Sequence, residues 1–112
     1  MTDDDFRRLV LAFPETTEGR HGALPTFLVR GRRFATLGWP QPGKVSIALG
    51  LDEQDLLLGT CPHAFERAQS AWGRRGHSHL NLETADEATI RSVMIMAWRR
   101  SAPAGLARSF KG

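Results

Sequence analysis

Between Pro25 and Gly50 the chain runs through three short segments of period-two alternation separated by reversal signals. Thr26–Arg30 alternates around Phe27 and Val29. Arg32–Trp39 carries Phe34, Ala35, Leu37 and Trp39. Lys44–Gly50 sets Val45, Ile47 and Leu49 on one side and Ser46, Ala48 and Gly50 on the other. Alternation of this kind marks strands with one buried face. Gly31 and the Pro40-Gln41-Pro42-Gly43 run stand where tight turns are needed, because glycine accepts positive φ and proline pre-sets the first turn position. The segment therefore reads as an antiparallel three-stranded meander, and the rest of the chain must cover or extend it.

The flanking sequence supplies both. Asp3–Phe13 places Phe6, Leu9, Val10 and Phe13 at helical spacing, with three aspartates at the end where the helix dipole favours them and Thr2 or Asp3 as cap. Pro14 stops it. Glu15–Leu24, with two glycines and no period, reads as a loop containing His21. Asp52–Thr60 reads as a second helix capped by Asp52, with Asp55 three residues on, Leu56, Leu57 and Leu58 on its buried side, and Gly59 and Pro62 as stops. Ala64–Ser70 is expected to be a short strand or extended piece, followed by a loop at Trp72–Gly76. His77–Leu82 is a further strand, with Ser78, Leu80 and Leu82 inward and His77, His79 and Asn81 outward. Thr84 or Asp86 caps a last helix running to about Ser101 on a stripe of Ile90, Val93, Met94, Ala97 and Trp98. Pro103 and Gly105 break it, and Leu106–Gly112 is a basic tail with at most a short turn of helix.

The expected order is α-β-β-β-α-β-β-α. That is a two-layer α+β domain, a five-stranded antiparallel sheet with its helices on one face. A chain of 112 residues is expected to form one domain (core about 5–102, basic tail 103–112) and can bury a single modest core without disulfides. No apolar run reaches the roughly 20 residues of a membrane span. The acidic start lacks a signal-peptide pattern. The single cysteine, Cys61, excludes an internal disulfide, reads as a small buried apolar residue and fits a reducing cytoplasm.

Charge is uneven. The first 60 residues hold seven Lys+Arg against eight Asp+Glu; the remaining 52 hold eight against four. Thirteen of the fifteen basic residues are arginine. The planar guanidinium suits phosphate, although a GC-rich genome favours arginine codons equally.

Two stretches carry a family resemblance. His21–Trp39, HGALPTFLVRGRRFATLGW, resembles the front half of the MmcQ/YjbR-like proteins. Arg74–Leu82, RRGHSHLNL, followed by Ile90–Pro103, IRSVMIMAWRRSAP, is similar to that family's last strand and C-terminal helix. The resemblance spans roughly residues 5–105 on spaced, loose motifs. It implies a secretion-chaperone-like or CyaY-like α+β fold, and DNA binding by a double-wing arrangement of the sheet. The chain departs from the family at His77, where a tryptophan is usual; a stacking residue is replaced by one that can also titrate.

The residues themselves narrow the chemistry. There is no nucleophile elbow, His-Glu-x-x-His, P-loop or dinucleotide fingerprint, so binding rather than catalysis is expected, with no cofactor. His77 and His79 project from one strand face about 6–7 Å apart. Even with His63 they lack the further ligands a zinc site needs, so no metal is expected. Arg30, Arg32 and Arg33 flank one hairpin turn, and Arg74 and Arg75 flank another loop beside His77 and His79. Two such basic tips can straddle duplex DNA as wings, with Trp39 and Trp72 near enough to stack on exposed bases, unless those tryptophans simply pack the core. The alternative is a protein or peptide partner, or a second copy, docked on the open sheet face around Leu28, Arg30, Ser46, Ala48, His77, His79 and Asn81.

Overall fold

The meander extends into a six-stranded antiparallel sheet in this computed structural model, which describes Met1–Lys111. The strands are β1 (Thr16–His21), β2 (Leu24–Val29), β3 (Arg32–Leu37), β4 (Lys44–Ala48), β5 (Phe65–Arg67) and β6 (His77–Asn81), in spatial order β1-β2-β3-β4-β6-β5. The helices are α1 (Asp3–Leu11), α2 (Leu51–Thr60), α3 (Glu87–Ser101) and α4 (Ala104–Ser109). A 3-10 turn at Ala71–Arg75 precedes β6. The architecture is α+β.

The sixth strand corrects the expectation of five. Thr16–His21 lies within Glu15–Leu24, which its two glycines and lack of period mark as loop. It is an edge strand paired with β2 at all six positions, from Thr16 opposite Val29 to His21 opposite Leu24. Most of its residues are exposed. Charged, polar composition is what protects a sheet edge from pairing with other chains, and it erases the periodic signal. The hairpin partner, not local preference, makes this segment a strand.

The helices pack on one side. Phe27, Ala35, Ile47 and Ser78 face the same layer through consecutive register partners. On that layer Phe6 of α1 meets Phe27 edge-on at 5.6 Å, and Gln54 of α2 bonds Ser78. Trp98 of α3 is fully buried, its Nε1 donating to Pro14 O and Thr16 Oγ1 at 3.2 and 3.1 Å. Each fully buried aromatic contributes about 2–3 kcal/mol of transfer free energy. Cys61 is buried in the same core.

Local details refine the helices. Thr2 caps α1 with Asp5 completing the box, and Asp86 caps α3 through Thr89 N at 2.7 Å. Helix α2 starts earlier than expected. Its N-cap is Gly50, and Glu53 rather than Asp55 closes the cap by accepting from Gly50 N at 3.1 Å. Of its leucines only Leu57 is buried, while Leu56 is 55% exposed. The expected loop at Trp72–Gly76 is the 3-10 turn, capped by Ser70. In the expected basic tail, α4 carries Phe110 back onto Trp98 and Phe13, at ring separations of 4.9 and 5.6 Å. Gly112 of that tail lies outside the described residues. Among the described residues, no helix is long and apolar enough to cross a membrane.

Candidate nucleic-acid interface

The sheet face away from the helices forms an open trough of about 950 Å³. Outward alternation of β3, β4 and β6 builds its floor. Thr36, Ser46 and His79 are register partners in one row, and Ala48 pairs with His77 in the next. Trp39 and Trp72 stand on its margins, 54% and 56% exposed. The alternative that Trp39 and Trp72 pack the core does not hold; Trp98, expected on the stripe of the last helix, is the buried indole.

The basic segments meet at one end of the sheet. β3 and β6 are both antiparallel to β4 and therefore run the same way. Arg32 and Arg33 open β3, and Arg74 and Arg75 immediately precede β6. Both pairs accordingly lie at the same end, two strand spacings apart, or about 10 Å. A β-bulge on β3 matters here. Thr26 pairs with Thr36 and Phe27 with Ala35, but Leu28 pairs with Arg33, so Phe34 is the extra residue. The slip turns Arg33 onto the trough face beside Phe34.

The arginines are not equivalent. Arg30 sits in the turn with φ 48°, followed by Gly31 at 81°. Its Nε and Nη2 donate to Glu15 Oε1 and Oε2 at 2.9 and 2.8 Å. That contact holds the Glu15 carboxyl below its usual range and raises Arg30. Arg32, Arg33 and Arg74 are exposed, and among the described residues none forms an ion pair. Arg75 lies over the Trp72 ring, 5.2 Å from its centroid. Trp72 in turn meets the His77 ring edge-on at 5.2 Å.

The histidines are half-buried in the trough. Burial lowers the His77 pKa first, followed by the nearby charges of Arg100 and Arg75 and then His79. Burial also lowers His79, against the pull of Glu66, whose Oε1 lies 3.5 Å from its Nδ1. Glu66 itself is held below its usual range by Lys44, whose Nζ donates at 2.7 Å. At neutral pH the trough thus carries two uncharged imidazoles and one internally neutralised Lys-Glu pair. His63 lies elsewhere, close enough to Asp86 to help lower that carboxyl. Among the described residues no three His, Cys, Asp or Glu side chains come together as metal ligands.

Sequence reading missed Arg100 and Lys44. Arg100 lies in the last turn of α3, which ends at the arginine-bearing end of the sheet, where Ser101 Oγ donates to Arg33 O at 3.5 Å. Lys44 was recoverable, since it shares the outward parity of Ser46 and pairs with Asn81.

No family model matches this chain, and no curated protein matches it. Among solved structures, it is similar to the crystal structure of Deinococcus radiodurans protein DR2400, which carries a DUF419 domain. The TM-score is 0.73 at 16% identity, covering 88% of this chain and 77% of that one. At that identity the likeness establishes the fold.

Proposed function

We propose that this chain is a nucleic-acid-binding domain of the MmcQ/YjbR type, acting in a reducing cytoplasm by binding rather than catalysis. The observation that carries the reading is the convergence of Arg33, Arg74 and Arg75 on one end of the sheet beside an open face, with Arg100 at the same end and Arg32 leaving its strand there on the helix side, opposite the buried Val29. Guanidinium groups without carboxylate partners are free to bond phosphate oxygens, and each contact releases a counterion. Arg30 contributes less, because Glu15 already occupies its fork.

The test is a fluorescence-anisotropy titration of labelled duplex and single-stranded DNA between 50 and 200 mM salt, on the whole chain. Phosphate contacts predict a linear fall of log K with log salt, and Arg32→Ala/Arg33→Ala should reduce the slope by about two. No binding at the lowest salt, or binding indifferent to salt, removes the reading. A partner protein or second copy on the open face is the rival; salt-insensitive self-association in size-exclusion chromatography favours it instead.

A further inference from the structure

The two exposed tryptophans say more about the ligand than the arginines do. Trp39 follows the C-terminal end of β3, and Trp72 stands against the first residue of β6. By register His77 is level with Ala48, one step beyond the Ala35–Ile47 pair, and hence with Phe34. Trp39 lies five positions further along and two strands across. The two indoles thus lie toward opposite ends of the trough, diagonally across its floor.

We infer that this face binds an unpaired nucleic-acid strand, bases stacked on Trp39 and Trp72 and backbone held by Arg33 and Arg75. The inference rests on the nucleic-acid reading above and names the form of the ligand. In a duplex the π-faces of the bases are hidden inside the stack. An exposed indole would then meet only sugar and phosphate. An unpaired strand offers a π-face at every base, whatever its sequence.

The surroundings fit that occupant. Edge contact with His77 and the Arg75 guanidinium over its ring orient Trp72, and Arg75 is thereby held where a flanking phosphate would lie. Arg33 is turned onto the same face by the bulge. The floor between the indoles is Thr36, Ser46 and His79, short polar groups able to bond base edges. The acidic group of the trough, Glu66, is neutralised by Lys44 at 2.7 Å. The end of the sheet away from the arginines carries Glu83 beside Gly43.

The experiment compares three probes at one salt concentration: a 12-nucleotide oligothymidine, an abasic strand of equal length, and a 12-base-pair duplex. Anisotropy reports affinity, and quenching of tryptophan emission reports stacking. The oligothymidine should bind at least about ten-fold tighter than either other probe. Trp39→Ala and Trp72→Ala should each weaken it about ten-fold while leaving the abasic strand unchanged. Trp72→Phe should retain most of the affinity and Trp72→Leu should lose it, which separates stacking from bulk if the alanine variant fails to fold. Equal affinity for oligothymidine and the abasic strand overturns stacking but leaves phosphate binding standing, as does a preference for duplex. Failure to bind any of the three probes overturns both.

Discussion

The side-chain amide nitrogen of Gln54, on α2, lies 2.9 Å from Ser78 Oγ on β6, and both residues are buried. The same nitrogen donates to Gly73 O at 2.9 Å and faces His77 O at 3.3 Å, while Ser78 Oγ lies 3.2 Å from Gly76 O. One helix residue thus fixes the turn that carries Trp72, Arg74 and Arg75. Gln54→Leu keeps the bulk but leaves buried acceptors without a donor. It should cost about 1–3 kcal/mol in urea unfolding, and amide exchange should rise first between residues 71 and 78.

Two glycines of that turn admit no side chain. A Cβ on Gly73 would fall 1.9 Å from Ala68 O, and one on Gly76 1.9 Å from Leu49 O, with φ at 103°. Both obstacles are backbone and cannot rotate aside. Gly73→Ala and Gly76→Ala should each destabilise by more than about 3 kcal/mol, measured by thermal or urea unfolding. Gly59→Ala is the contrast. It lies in α2 with open space around it and should stabilise by about 0.5–1 kcal/mol.

Removing Arg30 should separate fold from binding. Its pair with Glu15 is exposed on both sides, a class that contributes little to stability. Arg30→Ala should therefore leave the unfolding midpoint nearly unchanged. Because the guanidinium is already engaged, the salt slope of DNA binding should hardly move, whereas Arg33→Ala should lower it by about one. Equal effects from the two variants would contradict the assignment of free and occupied arginines.

Acidification should weaken the fold in a histidine window. His77 and His79 have pKa values below the ordinary 6.5, chiefly through burial. The unfolded chain therefore takes up protons before the folded one, and stability falls as pH drops through about 6.5 toward the lower folded values. His77 is faced by Trp72, Arg75, Arg100 and His79; His79 is faced by Glu66 and Lys44. Glu66 is lowered by Lys44, so its contribution disappears only below the usual carboxylate value near 4.5. The melting temperature should fall between pH 7 and pH 5, and His77→Asn/His79→Gln should flatten that portion of the curve. A profile identical to that of the unsubstituted chain would refute the burial argument.

How much of the candidate site was legible depended on which signal a residue carried. The outward parity of His77 and His79 and the inward parity of Ser78 and Leu80 could be read because strand periodicity is local. The bulge at Phe34 was not read, although the adjacent Phe34 and Ala35 interrupt the alternation, because the slip itself exists only in the pairing of β2 with β3. Arg100 was hidden for a similar reason: where a helix ends in space depends on packing across the whole core.

The sequence by itself determined the central meander, the existence of three of the helices, the pairs Thr2 or Asp3 and Thr84 or Asp86 from which two of their caps come, and the inward face of β6. Each rests on side-chain spacing or turn chemistry within a few residues. Tertiary structure alone decided that polar Thr16–His21 is a strand, that α2 begins at Gly50, that Trp39 and Trp72 stay in water while Trp98 is enclosed, and that residues 32–33 and 74–75 share one end of the sheet. These features arise from hydrogen bonds and burial between segments distant in the chain, and no local pattern encodes such partners.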